Sequence, residues 1–171
     1  MLPPLPKQYS AEEVRSDDGQ RTRMYVDGWM QRIEIPHQHM VVISRPDRGV
    51  MWQLDTEART YRQAKLPEHL EDAFNPDMLD DWTKEGTEKI DGRRYLRFVA
   101  RSVHPDRAHA IREVCFVDPK THIRRRITTF DKSGKGVVTI DWLNVVVGPP
   151  PREVFNIPEG YKRAYHRRRR Q

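Results

Sequence analysis

Turn signals recur along this chain at close intervals, and that spacing constrains the fold more than any other feature. They are Asp18-Gly19, Asp27-Gly28, Pro36-His37, Arg45-Pro46-Asp47-Arg48-Gly49, Asp55-Thr56-Glu57-Ala58, Asp91-Gly92, Asp118-Pro119-Lys120-Thr121 and Asp131-Lys132-Ser133-Gly134-Lys135-Gly136. Asp-Gly pairs supply the positive backbone angles that tight hairpins need. Intervals near roughly 8–12 residues fit consecutive antiparallel strands; a parallel crossover needs about a dozen residues of its own. The intervening segments predict strands at Arg21–Asp27, Met30–Ile35, His39–Ser44, Val50–Asp55, Thr60–Gln63, Glu85–Ile90, Arg93–Ala100, Ile111–Val117, Ile123–Phe130 and Val137–Val147. Ile123, Arg125, Ile127 and Thr129 alternate with Arg124, Arg126, Thr128 and Phe130. Such alternation belongs to a sheet with one wetter face.

One interval departs from this rhythm. Pro67–Lys84 predicts helix: Asn75 caps, Pro76 opens the first turn and Asp77 complements its positive end. Met78, Leu79 and Trp82 follow at helical spacing, with Leu70 and Phe74 ahead of them. Tyr9–Ser16 reads equally as a short helix or a first strand. The expected fold is mainly β (α+β): a curved antiparallel meander forming a half-open barrel, with one or two short helices over its concave face. Residues 1–8 are expected as a Pro-rich spacer, 9–161 as a single domain, and 162–171 as a basic, disordered tail.

Composition narrows the function. No run approaches the roughly 18 apolar residues of a membrane-spanning helix. Cys115 is the single cysteine, which excludes an internal disulfide and any CxxC motif. The net charge is +6, yet the last ten residues hold six of the 31 basic groups and no acid, so the remainder balances its 25 acids. A neutral body speaks against a nucleic-acid-binding face. Arg167, Arg168, Arg169 and Arg170 remain an electrostatic handle for an anionic membrane or a partner. Arg124 and Arg126 mark a basic strand face, opposed by Glu113 and Asp141. No catalytic residues are assigned: Ser44 lacks a Gly-x-Ser-x-Gly frame, and Gly134-Lys135-Gly136 lacks Walker spacing. His37 and His39 read as a solvated turn rather than a metal site, and no cofactor is expected.

The order of motifs carries a resemblance. Met24–Glu34 with its Asp27-Gly28, the stretch Ile43–Asp55 around Arg45-Pro46-Asp47, Thr60-Tyr61, and the ending Val147–Tyr161 resemble the LolA-like superfamily of periplasmic lipoprotein-sorting proteins. The likeness is closest to its small exported domains. It implies a curved sheet over helices with an apolar cavity, export to the periplasm with the signal removed from this sequence, and binding of acyl chains of lipid or lipoprotein. Membrane anchoring stays open. On that reading Trp52, Leu54, Phe98, Phe116 and Trp142 are cavity candidates, and Met78, Leu79 and Trp82 lid candidates. A non-catalytic carrier is the leading expectation. The alternative is an envelope protein-interaction module with a filled core, docking through its basic sheet face or a sheet edge.

Overall fold

The computed structural model describes residues 1–66, 82–100, 110–131 and 133–164. Its strands are β1 (Gln8–Arg15), β2 (Arg21–Asp27), β3 (Met30–Ile35), β4 (Met40–Arg45), β5 (Val50–Asp55), β6 (Thr60–Lys65), β7 (Trp82–Ile90), β8 (Arg93–Ala100), β9 (Ala110–Val117), β10 (Arg124–Asp131), β11 (Gly136–Val147) and β12 (Lys162–Arg163). They form one sheet in the order β12-β6-β5-β4-β3-β2-β1-β11-β10-β9-β8-β7. Two meanders thus run outward from a shared seam, where β1 pairs with both β2 and β11. Among the described residues every pairing is antiparallel except the two-residue β12 against β6. The sheet curves and does not close into a barrel, as a right-twisted sheet this wide is bound to do.

Turn chemistry explains the register. The loop between β2 and β3 is the two-residue Gly28-Trp29; Gly28 takes φ +61°, and Asp27 pairs with Met30 across it. The β3–β4 and β4–β5 links each begin with proline in a single 3-10 turn, Pro36–Gln38 and Pro46–Arg48. Each ends on a left-handed residue, His39 or Gly49, whose N–H donates back to the proline carbonyl. Asp55 Oδ1 accepts from the N–H groups of Glu57 and Ala58 in the next turn.

The helix predicted over Pro67–Lys84 needs correction at its C-terminal end. Trp82, Thr83 and Lys84 are strand, pairing with Ala100, Val99 and Phe98. Partners on β8 outweigh local helical spacing, because the pairing puts the Trp82 indole against Leu2, Phe98 and Cys115 in a buried cluster. Met78 and Leu79 lie outside the described residues. The ambiguous Tyr9–Ser16 segment is strand.

The two chain ends cover opposite faces of the sheet. Leu2 joins Trp82, Phe98, Ala100, Cys115 and Val117, and Leu5 packs on Tyr9, Ala11, Ile123 and Trp142. In-register pairing places both groups on one side, called here the N-terminal face. A 3-10 turn at Arg152–Phe155 delivers Phe155, fully buried, onto Val41, Ile43, Trp52 and Leu54 on the other side, the C-terminal face. Ile90, Tyr95, Val99, Val114 and Phe116 fill that same face at the far end of the sheet.

Candidate functional site

Counting outward from the hairpin turns places a second set of apolar residues on the N-terminal face. Ala11, Met24, Ile33 and Val42 form one row across β1 to β4. Tyr9 and Val26 head the neighbouring row, which reaches Ser44 and Met51 through Gln31. Ile35 and Met40 form a third. Registers in β2 to β5 run without a bulge, so alternation keeps these rows on one side. Met24, Ile33, Ile35, Met40, Val42 and Met51 are all half-buried. Ile33, Ile35, Met40, Val42 and Met51 join none of the buried clusters among the described residues.

This track is soft and nearly uncharged. Three of its side chains are methionines, which repack around varied apolar shapes. Its polar members are few: Gln53 Nε2 donates to Met40 Sδ at 3.0 Å. Ser44 is buried in it, and its Oγ has no hydrogen-bond partner among the described residues. Toward the seam the track runs into Trp142, which stacks on Tyr9 with ring centroids 6.1 Å apart.

The cavity candidates read from sequence divide between the faces. Phe98 and Trp142 lie on the N-terminal face, in separate clusters. Trp52 and Leu54 lie on the C-terminal face beneath Phe155, and Phe116 lies on that face at the far end. Trp52 also donates through Nε1 to Gln63 Oε1 at 3.1 Å. The sequence alone does not single out the methionine track, because an alternating strand does not say which face a terminus will cover. Its signal lay in the turns: once Gly28-Trp29 pairs Asp27 with Met30, counting gives Met24 opposite Ile33.

The basic residues are largely committed. Arg126 Nε and Arg125 Nη1 both donate to Asp141 Oδ1 at 2.7 Å, and Arg125 Nη2 reaches Asp91 at 3.0 Å. The bond to Asp141 holds the Arg126 guanidinium even more firmly protonated than usual. Arg124 is buried and borders a cavity of about 230 Å³ with Arg93, Asp118 and Asn144. Cys115 is fully buried. His37 lies in an exposed turn and His39 closes it. Arg167, Arg168, Arg169 and Arg170 lie outside the described residues.

Among models of protein families and among curated proteins, nothing matches this sequence. Solved structures do match. An uncharacterised conserved protein from Thermus thermophilus aligns at TM-score 0.66 and 11% identity, covering 94% of this chain and 91% of that one. MucB aligns at TM-score 0.51 and 13% identity over 90% of this chain. The fold is similar to that of MucB. In the complex of MucA and MucB from Pseudomonas aeruginosa the match is 0.50 at 14% identity over 87% of this chain. The chain spans little more than half of those MucB structures, 55–58% of their length. A LolA superfamily protein from Nitrosomonas europaea is also matched, at TM-score 0.33 and 10% identity over 87% of this chain and 89% of that one.

Proposed function

We propose that the chain is a non-catalytic carrier that holds acyl chains of a lipid or lipoprotein along the N-terminal face of β2 to β5, in the periplasm. The observation that carries this reading is the track of Ile33, Ile35, Met40, Val42 and Met51: apolar, half-buried, and outside every described cluster, with Met24 linking it to the Tyr9–Trp142 cluster. Each buried CH₂ contributes about 0.8 kcal/mol, so a single acyl chain laid along several of these residues is held without polar contacts. Methionines suit a carrier whose cargo varies in length and branching. The resemblance to lipoprotein-sorting proteins supports the same cargo and compartment.

The test is uptake of a soluble fluorescent fatty acid by delipidated protein, with mass spectrometry of an organic extract from periplasmically exported protein. Val42→Glu places a charge in the middle of the track. It is expected to lower probe affinity at least about tenfold, since a carboxylate against an acyl chain is poorly compensated, with the circular dichroism spectrum retained. Equal uptake by parent and variant, or a clean extract and no uptake by the parent, sinks the reading.

One observation favours a second reading. MucB, of similar fold, is solved in complex with MucA. A protein partner captured by the lipid-free chain, and unaffected by Val42→Glu, would support an interaction module instead.

A further inference from the structure

Several strands stop at one end of the sheet, and that end has a distinct surface. β2 turns into β3 there, β4 turns into β5, and β11 finishes beside the start of β1. Gly28 N–H donates to the Lys7 carbonyl and Gly148 N–H to that of Gln8, which ties both the hairpin tip and the end of β11 to the start of β1. Three large apolar residues stand exposed here: Trp29 at 62%, Val146 at 62% and Val147 at 48%. Val147 and Val26 both pair with Tyr9, so the valines and the Trp29 turn lie about two strand spacings apart, near 10 Å.

Beside Trp29 the surface opens into a hollow of about 590 Å³, lined among others by Met30, Arg48, Arg152 and Asn156. Arg45 braces it. Its Nε and Nη2 hold Asp47 at 2.8 and 2.6 Å, and its Nη1 donates to Asn156 Oδ1 and the Phe155 carbonyl. The Asp47 carboxylate is thereby paired with Arg45, although half of its side chain stays exposed. The Asp27 carboxylate accepts from Gln8, and Glu153 is exposed next to Arg152. Arg48 lies 5.9 Å from the Trp52 ring centroid. Among the described residues neither Arg48 nor Arg152 forms an ion pair.

We infer that this end of the sheet docks on a bilayer surface bearing anionic headgroups, with Trp29, Val146 and Val147 entering the interface and Arg48 and Arg152 meeting the phosphates. An indole with an aliphatic neighbour suits the boundary between acyl region and headgroups. Guanidinium forks suit phosphate oxygens, and each cation at an anionic surface contributes about 1 kcal/mol. The inference deepens the carrier reading and rests on it: a carrier of acyl chains loads and unloads at a bilayer, and the methionine track begins at this same end with Val26 and Met51.

The experiment is co-sedimentation of the full chain with phosphatidylcholine vesicles, with and without phosphatidylglycerol, at low and high salt. The parent is expected to sediment with the anionic vesicles and to release at high salt. Arg48→Gln with Arg152→Gln should weaken partitioning about thirtyfold. Trp29→Ser should weaken it too and remove most of the vesicle-induced blue shift of tryptophan emission. Neutralising Arg167–Arg170 to Gln provides the control for the tail. No sedimentation by the parent overturns the inference; so does binding that survives the Arg48/Arg152 and Trp29 substitutions but disappears with the tail charges. Uptake of the soluble fatty acid, measured without vesicles, separates the two proposals. The docking variants should keep it, and Val42→Glu should lose it while still sedimenting.

Discussion

Glu12 shows how single side chains lock the seam between the two meanders. Its Oε1 accepts from Arg21 Nη1 at 2.9 Å on β2, and its Oε2 from Asn144 Nδ2 at 2.8 Å on β11. Asn144 can reach it because β11 bulges there: the register slips between Ser10 and Glu12, and Asn144 takes φ +50°. The hydrogen bond from Arg21, then that from Asn144, hold the Glu12 carboxyl below its ordinary value. A carboxylate with a depressed folded pKa stabilises the fold above its unfolded value, about 4.3, and loses that contribution as pH falls through the folded value. The urea midpoint of the parent should therefore drop more steeply below about pH 4 than that of Glu12→Gln, which has no charge to lose. Parallel pH profiles for the two proteins would remove Glu12 from the acid response.

At the scale of elements, the C-terminal segment acts as a strap. Its turn at Arg152–Phe155 carries little regular structure, yet Phe155 is fully buried against four strand residues. Arg32 Nη1 donates to the Val154 carbonyl and Arg45 Nη1 to that of Phe155, so β3 and β4 hold the strap through its backbone. Phe155→Ala should cost about 3–5 kcal/mol, the range for a buried aromatic truncated to a cavity, read as a lower urea midpoint at unchanged slope. The strands were legible in the sequence because local turns set their limits: Arg93–Ala100 matches its expected range, starting directly after Asp91-Gly92. What escaped was decided by distant partners. Trp82 is strand because Ala100 lies opposite it, and Lys162-Arg163 is strand because Thr60-Tyr61 lies beside it. The same holds for the site. Trp52 and Leu54 pack with Phe155, about a hundred residues later in the chain, a partner that the local pattern does not reveal.

For the whole molecule, the two ends of the chain do not cover the sheet evenly. Leu2 and Leu5 serve the N-terminal face over β1 and β7 to β11, while Phe155 serves the C-terminal face over β2 to β6. Among the described residues neither terminal segment packs on the N-terminal face over β3 to β5, where Ile33, Val42 and Met51 stand. A ligand taken up there adds to the core instead of displacing part of it, so it should stabilise the fold by mass action. At a free concentration of 100 times its dissociation constant the gain is about 2.7 kcal/mol. In a domain of this size each kcal/mol moves the melting midpoint by about 2–4 °C, so a saturating fatty acid should raise Tm by about 5–10 °C. Val42→Glu should show no such rise. Phe155→Ala should melt lower but rise by the same increment, because the phenyl ring it loses lies on the opposite face. If Phe155→Ala abolished the increment while Val42→Glu kept it, the cargo would belong beneath the strap, among Val41, Ile43, Trp52 and Leu54, and the methionine track would be an ordinary part of the core.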